Sequence, residues 1–217
     1  ACEVVGFKAA SAGGPAHGFL TRCVADQFAV LGWPRPPARR LRIGVLTKGL
    51  LVASEVSERR GASVEKLSAL LGRTHEVVEL KPYPEAAETF AHFSHRITYA
   101  FARVDPLDSA YIAWCKERGL QVTPGQLQAA AEHACALPGI LAKRWGVDVV
   151  LSPTLAFDPP ALGYFPALSP AESFYQQTVW SPWCSLFNMT GAPAIALGPV
   201  HLGAVTLTGP ELLGLAA

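Results

Sequence analysis

Charge is the scarcest commodity in this 217-residue chain: charged residues make up only 16% of it, and they balance to a formal +1. Such a balance carries no field that would draw the chain to nucleic acid or to an anionic membrane. Long apolar runs are missing as well. No stretch approaches the ~18 consecutive apolar residues of a membrane helix, although half of the residues are hydrophobic and the mean hydropathy is +0.25. That surplus must fill a core or an interface. The five cysteines (Cys2, Cys23, Cys115, Cys135, Cys184) are odd in number, scattered and free of CxxC spacing. They suit a reducing cytoplasm better than a disulfide framework. There is no GxGxxG, since RIGVLTKGL has two glycines at the wrong spacing, and no GxSxG elbow.

What is present alternates between strand and helix patterns. Val4-Val5-Gly6-Phe7 has the apolar character of a buried strand. Pro and Arg dominate WPRPPARRLR, and residues 32–40 read as a solvated linker. RIGVLT, a helix over 55–71 with Val64, Leu67 and Leu71 on one face, and HEVVELK together predict a β-α-β crossover with two parallel neighbouring strands. Gly72 is placed to stop the helix. Phe90, Phe93, Ile97 and Phe101 mark the core face of a helix over 84–103.

Two further helices begin with capping signals, Thr123-Pro124-Gly125-Gln126 and Ser169-Pro170-Ala171-Glu172. Pro138 should kink the first, and Pro182 falls inside the second, which carries Phe174, Thr178 and Leu186. VDVVLS, AIAL and HLGAVTL read as strands and ELLGLA as a short last helix. The predicted class is α/β, a mixed sheet flanked by helices in one domain spanning 1–217.

Chemically suggestive residues have plain alternatives beside them. Glu88, His92 and His95 have metal-ligand spacing, yet they lie opposite the Phe90/Ile97/Phe101 stripe with Arg96, Tyr99 and Arg103, as a solvated polar face would. No metal site is therefore assigned. A thiol nucleophile could come from Cys184 or Cys23 with any of the six histidines, whereas cysteines in apolar surroundings mostly pack inertly.

Three stretches in order resemble the amidase signature family of serine hydrolases. ACEVVGFK with HGFLTRCVADQFAVL is similar to the family's cysteine-glycine-x-valine-glycine-leucine-lysine-proline segment and the helix start after it. VDVVLSPT resembles its strand ending in Thr-Pro-Thr, and FNMTGAPAIAL its phenylalanine-asparagine-x-threonine-glycine-x-proline-alanine box. Glu3 stands where the family has Gly, Ala9 where it has Pro, and Phe19 where a Pro precedes x-x-Arg. GPV also joins directly to HLGAV, where the family has a longer loop.

The resemblance implies hydrolysis of carboxamide C–N bonds through a Ser acyl-enzyme, without metal or organic cofactor. A neutral Lys would act as base and loop amides would hold the oxyanion. In the family the nucleophile, a bridging Ser on a cis peptide and the base all precede the valine-glycine-leucine-lysine segment, which starts here at residue 2. No catalytic residue is therefore assigned in this chain, Lys8 matching a later, non-catalytic lysine. The expectation is a fragment incomplete at its N-terminus and inactive alone. Thr154, Trp180, Trp183 and Phe187, which flank the two most family-like boxes, are the candidates for an acyl-pocket wall that takes a small-molecule amide. The alternatives are a non-catalytic pseudoenzyme or interaction protein and a Cys-dependent hydrolase. An uncovered strand at Val4–Phe7 would leave an apolar edge, predicting homo-oligomers.

Overall fold

The computed structural model describes residues 4–11 and 18–217. Along the chain run β1 (Val5–Lys8), β2 (Leu20–Thr21), α1 (Val24–Leu31), β3 (Arg42–Val45), α2 (Glu58–Leu71), β4 (Glu76–Glu79), α3 (Ala86–Phe101) and α4 (Ala110–Leu120). Then follow α5 (Pro124–Trp145), β5 (Val149–Pro153), α6 (Tyr164–Ala167), α7 (Pro170–Trp180), α8 (Cys184–Thr190), β6 (Ala194–Leu197), β7 (Val200–Ala204) and α9 (Gly209–Leu215).

The seven strands form one mixed sheet in the order β2-β1-β6-β7-β5-β3-β4. The predicted crossover is present, α2 linking the parallel neighbours β3 and β4, with β5 parallel on the other side of β3. The remaining pairs are antiparallel. Alternation of side chains gives the sheet two different faces. One presents Val5, Phe7, Ile43, Leu151, Ile195 and Leu202 to α1, α2 and α9, which contribute Phe28, Val64 and Leu212. The other meets Leu137 and Leu141 of α5 and Leu186 and Phe187 of α8, yet its own residues toward β1 are small or polar: Gly6, Lys8, Ala194, Ala196, Ser152, His201 and Gly203.

Capping behaves as predicted at both sites. Thr123 and Gln126 close a reciprocal box at α5, and Ser169 accepts from the Glu172 amide at α7. Helix α5 continues through Pro138 and ends at Gly146 in left-handed backbone (φ 57°). Gly72 stops α2 where expected, with right-handed angles (φ −63°), and the chain turns on through Thr74. The helix expected to run from Ser169 through Leu186 is two, because Pro182 separates α7 from α8.

Phe90 and Phe93 of α3 pack against the core as the stripe implies, but the side read as solvated is corrected, with Thr89 buried and His92 sheltered there. The most buried residues of α3 are Ala86, Thr89 and Thr98, while Phe90 is half-buried against Phe174 of α7. The helix is packed on both sides, by α4 and α7 on the phenylalanine side and by α5 on the side read as solvated. The expected open edge at Val4–Phe7 is absent too. β1 pairs with β2 on one side and β6 on the other, and Val5 and Phe7 are buried, Phe7 edge-on to Trp33. Cys2, Glu3 and His17 lie outside the described residues.

Candidate functional site

In sheets with parallel strands, ligands gather beyond the strands' carboxyl ends. β3, β4, β5 and β6 all end at the same edge here, and two of the family-like segments lead to it. Thr154 follows β5 and is clamped to the β6–β7 turn, its amide donating to the Pro199 carbonyl at 2.9 Å and its Oγ1 to the Gly198 carbonyl at 3.0 Å. That turn has only two residues, Leu197 pairing directly with Val200, and Gly198 supplies the positive φ (58°) it needs. Past Thr154, the Ala156 amide donates to the Trp180 carbonyl and the Trp180 indole to the Phe157 carbonyl, both about one hydrogen bond apart at 2.8 and 3.1 Å.

The four predicted wall residues lie in one region, in two different environments. Thr154 and Trp180 are partly exposed at the strand ends. Trp183 and Phe187 are core residues, each 1% exposed. The Trp183 indole donates to the Lys48 carbonyl at 2.9 Å, and the Phe187 ring fills the space above Gly203, where a Cβ would come within 2.0 Å of it. Beside the Gly198-Pro199 turn lies a cavity of ≈ 470 Å³ lined by Arg59, Arg60, Ser63 and Asp158. The buried Arg60 is neutralised by Asp158 at 2.6 Å, a partnership across 98 residues that no local pattern announces.

The first and third family-like segments meet directly. β1 pairs residue for residue with β6, Lys8 Nζ donates to the Ala192 carbonyl at 2.7 Å, and the Ser11 amide to the Gly191 carbonyl at 2.9 Å. Burial lowers the Lys8 ammonium from its ordinary range. Toward this end the sheet floor of Gly6, Lys8 and Ala196 is half-buried, whereas Ser152 and His201 are fully covered. The His201 ring packs at a tilt against Phe187, 5.2 Å between centroids, and burial, with the Lys8 charge behind it, pushes its pKa down to about 4. The sequence reading had no signal for His201, since its environment is made by α8.

Cys184 and Cys115 do not have the surroundings of nucleophiles. Cys184 turns its thiol to the Thr154 carbonyl at 3.6 Å, and burial pushes that thiol up. Cys115, buried beside Tyr111, is likewise pushed up by burial. A reactive cysteine needs the reverse, a stabilised thiolate. Of the spaced polar set on α3, Glu88 and His92 face His133 of α5, while His95 turns to Gln126.

No family model matches this sequence, and no curated protein sequence matches it. Solved structures do. A 6-aminohexanoate cyclic dimer hydrolase complexed with substrate is similar over 100% of this chain and 60% of its own, at 21% identity and TM-score 0.80. An amidase matches 99% of the chain and 56% of its own (24% identity, TM-score 0.71). A bacterial aryl acylamidase of the amidase signature family matches 99% and 58% (13%, 0.61). The chain therefore spans about three-fifths of the length of these structures, at 60%, 56% and 58%, and within that span it has the amidase-signature fold.

Proposed function

We propose that this chain is the acyl-pocket portion of a hydrolase that cleaves carboxamide C–N bonds through a Ser acyl-enzyme. One observation carries the proposal: the chain aligns from end to end, at TM-score 0.80, with a cyclic amide hydrolase. The three family-like segments support it by converging on one sheet, where β1 and β6 form a floor and β5 leads to Thr154. In this role Thr154 and Trp180 form the wall that meets a small amide, and Trp183 and Phe187 hold that wall from behind. In this reading no position among the 217 residues supplies the Ser nucleophile, the bridging Ser or the Lys base. The chain by itself is therefore inactive.

The test uses the chain alone and the chain joined behind the Ser-Ser-Lys segment of a relative with this fold, assayed on linear and cyclic carboxamides. The joined protein should release amine or ammonia, lose that activity to a fluorophosphonate, and change its substrate preference in Trp180→Ala. Turnover by the chain alone would refute the proposal, and turnover blocked by iodoacetamide would favour a thiol mechanism.

A further inference from the structure

Glu88 and His92 stand one turn apart on α3, and His133 comes from the buried face of α5, between Ala130 and Leu137. His92 Nε2 lies 3.6 Å and His133 Nδ1 4.0 Å from the same carboxylate oxygen, Glu88 Oε1. All three donor atoms fall within 4.8 Å of one another, and the two imidazoles are 4.6 Å apart between centroids. These separations are too long for direct hydrogen bonds. The two distances to Glu88 approach the ~3.4 Å between ligand atoms that bonds of about 2.0–2.1 Å to a tetrahedral zinc ion would give.

His133 is also held in a fixed orientation. Its Nε2 is 2.7 Å from Thr89 Oγ1, which lies 2.7 Å from the Tyr83 hydroxyl and 3.1 Å from the Glu85 carbonyl. The carbonyl can only accept, and Thr89 has one proton to give. All four groups are satisfied when Thr89 donates to Glu85 and accepts from Tyr83 and from His133 Nε2–H. That tautomer leaves the His133 Nδ1 lone pair bare and facing Glu88 and His92. Binding the second ring nitrogen to a polar partner is how metal-ligating histidines are commonly oriented. The second imidazole is sheltered too: the His92 side chain is 15% exposed, and its Nδ1 is buried without a hydrogen-bond partner.

We propose that Glu88, His92 and His133 bind one divalent transition-metal ion, zinc by the character of the donors, which ties α3 to α5. Two imidazoles and one carboxylate suit zinc, copper, nickel or cobalt rather than the oxygen-ligated magnesium and calcium. Glu88, with a 60% exposed side chain, gives the ion its entry from solvent and can swing to close the coordination. A fourth position stays open to water. Tyr83 and Thr89 are positioning residues that act through His133.

The test is titration of the chelator-stripped chain with Zn²⁺ by calorimetry and with Co²⁺ by absorption. One equivalent should bind, with the visible d–d bands of a four-coordinate N/O site and no thiolate charge-transfer band. Binding should survive alkylation of the cysteines and raise the melting temperature. Glu88→Gln and His92→Gln, which keep their size and lie at the open side of the cluster, should each weaken binding by more than about tenfold, and Tyr83→Phe by about tenfold or more. Far-UV circular dichroism verifies that these variants fold. No one-to-one binding at 100-fold excess over micromolar protein, thiolate bands, or unchanged affinity in both Gln variants would overturn the proposal.

Discussion

Acid should destabilise this protein through His201 well before its carboxylates titrate. The residue is 5% exposed, its Nδ1 is buried without a partner, and its pKa is pushed down to about 4 by burial and by Lys8. In the unfolded chain the same imidazole titrates near its ordinary 6.5. Because the folded value is the lower one, the unfolded state binds more protons between the two values. Stability is therefore complete above pH 6.5 and drains away as pH falls toward about 4. With those two values, moving from pH 7.5 to 5 removes ~2 kcal/mol, a large share of a net stability of about 5–15 kcal/mol. The assay is urea unfolding at both pH values for the parent chain and His201→Leu. Leucine removes the titration and leaves no orphaned nitrogen beside Phe187. It should match or exceed the parent at pH 7.5 and lose ~2 kcal/mol less on acidification. His133 and His75, also lowered by burial, titrate alike in both proteins and cancel in the difference. Equal losses in the two proteins would refute the reasoning.

Two further outcomes are expected. Gly119→Ala should cost roughly 2–3 kcal/mol, since a Cβ there would stand 2.1 Å from the Thr98 carbonyl oxygen where α4 crosses α3. Gly139→Ala, with nothing within 4 Å on the exposed side of α5, should instead stabilise by about 0.5–1 kcal/mol; thermal melts compare the pair, and a reversed order would contradict the packing of α3 on α4. Iodoacetamide at neutral pH should label the exposed Cys23 and Cys135 first and spare Cys115 and Cys184, whose thiols burial holds protonated; peptide mapping that finds Cys184 labelled fastest would revive the thiol mechanism.

What was legible in the sequence was what local chemistry decides. Thr123 and Ser169 announced their helices because a cap is made within four residues. The β3-α2-β4 crossover was legible because alternation and helical periodicity changed over where the chain did. Helix α4 gave no such sign, since only Cys115 and Gly119 on it are buried and no stripe repeats. The polar side of α3 was misjudged for a tertiary reason. A single phenylalanine stripe implies one partner, but α5 supplies a second one on the opposite side, burying Thr89 and drawing His92 inward. His133 was invisible as a companion to Glu88 and His92, because it sits more than forty positions later and only the α3–α5 contact brings it there. The division between Thr154 and Trp180, partly exposed, and Trp183 and Phe187, inside, was not legible, because burial there is set by elements distant in sequence.

The pairing of β1 with β6 also dictates when this fold can be finished. Val5 to Lys8 find their partners at Ala194 to Leu197, so β1 has nothing to hold its inner edge until residues 194–197 have been made. At synthesis rates of about 5–20 residues per second, that is a wait of roughly 10–40 s on the ribosome. The α3–α4–α5 layer and the β3-α2-β4 unit are built from nearer neighbours and can form meanwhile. The newborn chain thus carries Val5 and Phe7 unprotected for most of its synthesis, and closing so distant a pair is slow. Interruption anywhere before residue 194 leaves β1 paired with β2 alone, its inner edge without a partner.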